Sequence, residues 1–174
     1  MSYTVRRLSA DDSAAYRTIR LEGLEAAPAA FGASLAEDTA LPDEEWKARL
    51  TRNFAYGVFA GSELGGIAGF YSEGGDKTRH RGHLVGVYTR PAFRGTGASR
   101  LLLGAVIAEA GKHVQFLYLQ VTQDNTPAVR LYERMGFVVY GKDPGGLMVD
   151  GVMHQDYLMM LRLDEGQRKV TDDE

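Results

Sequence analysis

The stretch LVGVYTRPAFRGTGASRLLLGAVIAEA, Leu84 to Ala110, decides how the rest of the chain is read. An apolar strand-like run ends at Thr89 and Arg90-Pro91 breaks it. Arg94-Gly95-Thr96-Gly97-Ala98-Ser99 then leads into a segment whose Leu101, Leu102, Ala105, Val106 and Ala108 fall on one broad helical face. The pattern is strand, glycine loop, helix. Glycines ahead of a helix let the backbone turn tightly and leave successive N–H groups uncovered, and the first helical turn adds unpaired donors and a positive dipole end. The result is a cradle for an anion, with Arg90, Arg94 and Arg100 as charge around it. On the glycines alone, a plain connection with solvated arginines stands beside that reading. A Walker-type ATP loop is disfavoured because no Gly-Lys-Ser/Thr follows, and the Gly-x-Gly-x-x-Gly of a dinucleotide site is missing too.

Composition narrows the rest. A length of 174 residues with 44% hydrophobic content suits one domain with a substantial core. A formal charge of −3 argues against a surface that coats nucleic acid. The absence of cysteine removes disulfides, thiolate metal sites and a cysteine acyl-enzyme. His80 and His83 are spaced three apart without an HExxH or comparable cluster, so no metal is expected. There is no apolar run of about 18 residues and no secretory leader, so the expected location is cytoplasmic and away from membranes.

Upstream, Thr4 to Leu8 reads as a first strand, and Ser9-Ala10-Asp11-Asp12 offers caps for a helix carrying Ala14, Ala15, Ile19, Leu21 and Leu24. Residues 28–39 read as a less regular connection, and Pro42 precedes a short helix with Trp46 and Leu50. That connection either folds over a small acceptor or only seals the core edge through Phe31 and Trp46. Residues 56–60 and 65–71 read as a hairpin joined through Gly61-Ser62-Glu63-Leu64.

Downstream, Val114 to Thr122 alternates as an interior strand with helices expected over it. Asn125 or Thr126 caps the next helix, Pro127 fits its first turn, and Ala128, Leu131, Tyr132 and Met135 make its expected buried stripe up to Gly136. Lys142 to Gly146 reads as a turn or longer loop, and His154 to Leu163 as a closing strand. The domain is set at residues 1–165, and 166–174 is a polar tail.

Two motifs carry a family resemblance. Arg94-Gly95-Thr96-Gly97-Ala98-Ser99 resembles the acyl-CoA-binding motif of the GNAT superfamily of N-acetyltransferases, Arg/Gln-x-x-Gly-x-Gly/Ala, with Ser99 where the family prefers Gly or Ala. Asn125-x-x-Ala128-x-x-Leu131-Tyr132-x-x-x-Gly136-Phe137 is similar to a second motif of that family, in the right order and after the fifth strand. The resemblance implies a mixed-sheet α/β fold (α+β mixed sheet) with splayed fourth and fifth strands over roughly residues 3–163. It also implies acetyl-CoA as cosubstrate and attack of an amine on the thioester carbonyl. By resemblance, Val87, Tyr88 and Thr89 accompany pantetheine, and the N–H of Val87 polarises the carbonyl. Arg94, Gly95, Thr96, Gly97, Ala98, Ser99 and Arg100 surround the pyrophosphate, Asn125 orients pantetheine, and Tyr132 donates a proton to the departing sulfur.

The general base is open. Many relatives carry a glutamate on the fourth strand near the positions of His83 or Val85, where this chain has no acid. His83 is the candidate, with Glu73 and an ordered water as rivals. The acceptor is expected to be an amine on a small molecule. Glu22, Glu25, Glu37 and Asp38 either attract a cationic amine at the entrance or form solvated faces. A protein N-terminal acetyltransferase and a non-enzymatic acyl-CoA sensor are the alternatives. The resemblance extends to homodimerisation, with the late strand and tail as the candidate interface.

Overall fold

Strand-like and helix-like segments alternate along the chain, and the computed structural model, which describes residues 2–163, gathers the strands into one seven-stranded mixed sheet. The strands are β1 (Thr4–Arg7), β2 (Phe54–Ala60), β3 (Glu63–Ser72), β4 (Arg81–Thr89), β5 (Phe116–Thr122), β6 (Val138–Val149) and β7 (Val152–Arg162). Their order is β1-β2-β3-β4-β5-β7-β6. Of the pairings, β4 with β5 is parallel and the others are antiparallel. The mixed α/β fold expected from the sequence is therefore observed. The expected domain boundary at 165 and the tail at 166–174 lie outside the described residues.

Among the described residues five α-helices dress the sheet: α1 (Ser13–Ala26), α2 (Leu35–Thr39), α3 (Asp43–Arg52), α4 (Ala98–Ala110) and α5 (Thr126–Arg134). Two apolar clusters form. Ile19, Leu24 and Leu50 from α1 and α3 meet Ala55, Ile67 and Tyr88 of the sheet. Leu102, Val106 and Ala110 of α4 meet Val129 and Tyr132 of α5, with Phe70, Leu84 and Leu117 from the strands. Neighbouring strand residues such as Ile67 and Ala68 go to different clusters, as side-chain alternation across a sheet requires. Among the described residues, no helix is long and apolar enough to cross a membrane.

Several expectations change. In α4 the buried face is Ala98, Leu102, Leu103, Val106, Ile107 and Ala110, whereas Leu101 is 52% exposed and Ala108 is exposed too. The helix is apolar nearly all round, so periodicity did not mark which side meets the sheet. Residues 28–39 hold a 3₁₀ turn at Pro28–Ala30 and the short helix α2, whose Ser34 hydroxyl caps the N–H of Glu37 at 3.1 Å while the Glu37 carboxylate takes the N–H of Ser34 at 2.7 Å. The β2–β3 turn needs only Gly61 and Ser62, because Glu63 and Leu64 already belong to β3.

Lys142 to Gly146 is part of β6 rather than a loop between elements. The ladder pairs Asp143 with Asp156 and then Leu147 with His154, so the intervening residues bulge out, and the Asp143 carboxylate takes the N–H of Gly145. The closing strand correspondingly begins at Val152. In α5 Val129 is buried with Tyr132, and Ala128, Leu131 and Met135 are half-buried. β5 is interior to the sheet, yet its Leu117, Leu119 and Val121 face is the buried one; on the other face Phe116 and Tyr118 are half-exposed, Gln120 is exposed and only Thr122 is buried.

Helices α1, α2 and α3 are tied together by one carboxylate. Asp38 is 1% exposed and accepts from Arg20 Nε and Arg49 Nη2, each at 3.0 Å. Arg20 lies 4.5 Å over the Phe31 ring and Arg49 5.1 Å over Trp46. Burial alone would raise the Asp38 carboxyl, but the hydrogen bonds and charges of Arg49 and Arg20 outweigh it and hold it below its usual range.

Replacing Asp38→Asn leaves two half-buried guanidiniums without their anion and should cost about 3 kcal/mol in urea unfolding at neutral pH. Because the folded carboxyl is depressed, its stabilisation is complete above the ordinary carboxylate value of about 4. It is lost as pH falls through the lower folded value. The stability curves of wild type and variant should therefore converge at the acid end. Parallel curves would assign the acid dependence to other groups.

Candidate active site

The parallel ladder between β4 and β5 is short. Arg81 pairs with Phe116, Gly82 with Leu117 and His83 with Tyr118, and there the pairing stops. From Leu84 to Thr89, β4 keeps its partner β3 but not β5. Against β3 the register slips, since Gly69 faces Val85 while Ile67 faces Tyr88. Gly86 sits in that bulge at φ +65°, a left-handed conformation that a side chain resists. An isolated glycine in an apolar strand pattern is a recognisable bulge signal, and LVGVY carries it. The divergence opens a wedge bordered by the backbone of Val87, Tyr88 and Thr89. The Tyr88 side chain is turned away from it into the α1 cluster, 5% exposed.

At the far end of the wedge the chain passes a 3₁₀ turn at Pro91–Phe93 and enters the glycine loop. Gly95 and Gly97 have φ of +73° and +91°, and Gly97 is the N-cap of α4. Leu101 is the first helical residue whose N–H reaches a preceding carbonyl, that of Gly97 at 3.1 Å. The Ala98 N–H is directed to Thr96 Oγ1 at 3.4 Å. Among the described residues, the N–H groups of Gly95, Thr96, Gly97, Ser99 and Arg100 have no protein acceptor. Such a row at a helix N-terminus suits phosphate oxygens. The loop is braced from inside by Thr96 Oγ1 to the Phe93 carbonyl at 2.7 Å and by Ser99 Oγ to Thr89 Oγ1 at 3.0 Å. Ser99, the departure from the family motif, thus fastens the loop to the end of β4.

The three arginines separate in role. Arg90 is bound to Glu22, with Nη2 at 2.9 Å, and to the Leu64 carbonyl at 2.8 Å, so it fastens α1 to the sheet instead of standing free at the loop. Arg94 donates Nε to the Thr89 carbonyl at 2.9 Å and is exposed beyond that contact. Arg100 is exposed on the first turn of α4.

The proposed catalytic residues stand on different elements. His83 occupies the vertex where β4 and β5 part. Its Nε2 is 2.7 Å from Glu73 Oε1, and its ring is 5.0 Å from that of Tyr71 and 5.9 Å from that of Tyr118. Arg81 Nε donates to the same Glu73 oxygen at 3.1 Å. The His83 hydrogen bond first, then the Thr78 hydroxyl and the Arg81 charge, keep the Glu73 carboxyl below its usual range. A carboxylate can only accept, so Nε2 carries a proton in this contact, which leaves Nδ1 as the ring nitrogen that can take one. His83 and Glu73, rivals in the sequence reading, are partners in the structure.

Tyr132 is 7% exposed, packed edge-on to Phe137 at 5.8 Å, and its hydroxyl has no hydrogen bond among the described residues. Burial pushes its phenol well above the usual value. Asn125 is the N-cap of α5, its Oδ1 accepting from the Ala128 N–H at 3.4 Å.

Sequence reasoning missed a cleft of about 160 Å³ between α1, α3 and the sheet, lined by Tyr16, Arg20, Arg49, Asn53, Val85 and Gly86 among others. No local motif signals it, because its polar side chains come from two separate helices, Tyr16 and Arg20 from α1 and Arg49 and Asn53 from α3 and its C-cap. The acids expected at an acceptor entrance are largely engaged elsewhere: Asp38 with Arg20 and Arg49, Glu22 with Arg90, and Glu37 with Ser34.

Known proteins share this fold. A solved phosphinothricin acetyltransferase of Sinorhizobium meliloti, in complex with AcCoA, superposes with a TM-score of 0.82 at 17% identity over 95% of this chain and 90% of that one. An L-methionine sulfoximine/L-methionine sulfone acetyltransferase of Salmonella typhimurium is 32% identical over 117 residues, 63% of this chain and 67% of that protein. A mycothiol acetyltransferase of Propionibacterium freudenreichii is 32% identical over 103 residues, which are 58% of this chain but only 33% of that protein's length. The sequence pattern described as the acetyltransferase (GNAT) family matches residues 19–137, from α1 through both motifs to Phe137, and places this chain in the GNAT acetyltransferase family.

Proposed function

We propose that the protein transfers the acetyl group of acetyl-CoA to a primary amine on a small molecule by direct attack. The observation that carries this reading is the wedge where β4 and β5 part, ending at the start of α4 in a row of N–H groups with no acceptor among the described residues. A thioester arm fits the first feature and a pyrophosphate the second. The relatives named for L-methionine sulfoximine and for mycothiol support an acetyltransferase with a small acceptor, and the solved AcCoA complex supports the cosubstrate.

On this reading Val87 N–H polarises the thioester carbonyl as negative charge develops on its oxygen. The amine nitrogen forms the new C–N bond, and collapse breaks the C–S bond. His83 Nδ1 takes the amine proton directly or through water, with Glu73 holding the ring. Tyr132 delivers its hydroxyl proton to the departing sulfur; burial keeps that phenol protonated until the sulfur needs it. Asn125 steadies the start of α5 beside pantetheine.

Calorimetry with acetyl-CoA followed by a free-CoA release assay over a panel of amines tests the assignment. Binding with transfer to one amine class is expected. Failure to bind acetyl-CoA would sink it, and binding without transfer would favour an acyl-CoA sensor.

Gly97→Val places a branched side chain at φ +91° on the open side of the loop, where a Cβ meets no protein atom within 4 Å. It should weaken acetyl-CoA more than Arg94→Ala, which leaves the N–H row intact. Wild-type affinity in a folded Gly97→Val protein would count against backbone recognition.

Tyr132→Phe removes only the hydroxyl. It should leave acetyl-CoA affinity nearly unchanged and slow the transfer step on the order of 10²-fold, less so with a more acidic thiol as leaving group. An unchanged single-turnover rate would leave Tyr132 a packing residue. His83→Ala should separately slow the transfer step while leaving acetyl-CoA affinity nearly unchanged.

A further inference from the structure

The cleft between α1, α3 and β4 has a charge pattern that the transferase reading does not use. Arg20 and Arg49 share the single carboxylate of Asp38. The next acid, Glu45, lies 3.9 Å from Arg49 Nε and is held more closely by Arg52. Three guanidiniums thus face two carboxylates, and the surplus positive charge lies at the cleft. Arg20 spends Nε on Asp38 while its Nη1 lies 3.6 Å from where a Cβ on Gly86 would stand. Arg49 spends Nη2 on the same carboxylate. Tyr16 lines the same cleft, and burial raises its phenol so that the hydroxyl stays neutral.

We propose that this cleft holds a carboxylate of the acceptor, so that the amine acetylated here belongs to an amino acid or a close amino-carboxylate analogue. The proposal rests on the transferase reading above and specifies its acceptor. Planar guanidiniums with unspent N–H groups match the two oxygens of a carboxylate. A volume of about 160 Å³ corresponds to about five waters, the scale of an amino acid's carboxylate, α-carbon and amine. Gly86 is the floor of the cleft at the bulge, one residue from Val87, so a carboxylate on Arg20 leaves a neighbouring amine at the place where the thioester carbonyl would be polarised. The buried ion pairs hold both guanidiniums in place before any ligand arrives.

The test compares matched acceptors with acetyl-CoA: L-methionine with L-methioninamide and 3-(methylthio)propylamine, and L-phenylalanine with its amide and phenethylamine. The free acids should exceed both uncharged-end partners in kcat/KM by about tenfold or more, because a site built for an anion rejects analogues that lack it. Arg49→Gln, which leaves Arg20 on Asp38, should raise KM for the acids and not for the amines. Asn53→Asp, nearly isosteric at the cleft wall, should do the same by adding negative charge and serves if Arg49→Gln does not fold. Equal kcat/KM for acids and amines, or equal losses on both in the variants, overturns the proposal. If no amine is acetylated, the transferase reading fails separately, and calorimetric binding of the same acids and amines to the CoA-bound protein decides the cleft: acids that bind no tighter than amines overturn it.

Discussion

The early end of the β4–β5 ladder is the constraint on which the site depends. A parallel pair that continued past His83 and Tyr118 would satisfy the strand edges with each other and leave no opening. Here the bulge at Gly86 turns the second half of β4 away from β5 while β3 still supports it from the other edge. Among the described residues, backbone groups along Leu84 to Thr89 thereby have no β5 partner, and of these the Thr89 carbonyl is taken by Arg94, without β4 itself being loose. A side chain at position 86 would strain this arrangement through its positive φ, so one glycine couples the sheet's register to the existence of the opening.

The second requirement is that the helices above the bulge stay fixed, and polar contacts accomplish it. Asp38 unites α1, α2 and α3 through Arg20 and Arg49, and Glu22 joins α1 to the end of β4 through Arg90. Buried ion pairs add little net stability when compared with well-packed apolar groups, but breaking one is costly. Their value here is positional. Each arginine is also laid over an aromatic ring, Arg20 on Phe31 and Arg49 on Trp46, which orients the guanidinium planes around the cleft.

Legibility followed locality. The glycine loop and the Asn125 to Phe137 helix are each set by residues within a dozen positions, so the strand-loop-helix order, the cap at Asn125 and the positive-φ glycines were readable from neighbouring letters. The family resemblance added the splay, which no periodicity contains. The rotation of α4 was not readable because Leu101 to Ile107 is apolar on every side, and only the sheet decides that Leu103 and not Leu101 is buried. The bulge in β6 was hidden because Pro144-Gly145-Gly146 has loop composition while its flanks still pair with β7. The acidic residues near the entrance misled for a related reason. Charge in a sequence has no partner written beside it, and Asp38 and Glu22 find theirs on other elements, at Arg20 and Arg90, 18 and 68 positions away.

The burial of Tyr132 has two opposed effects. A phenol with no hydrogen-bond partner among the described residues forgoes stabilisation that a phenylalanine would not need. The same burial makes the free phenolate expensive, so the proton stays on oxygen across the neutral range. For the proposed reaction the second effect is the useful one. A leaving thiolate requires a donor that is still protonated when the C–S bond breaks, and a phenol with a raised pKa meets that condition at any pH where the amine is neutral enough to attack. Giving up the proton moves the negative charge from sulfur to the phenol oxygen, which must regain a proton from solvent before the next turnover.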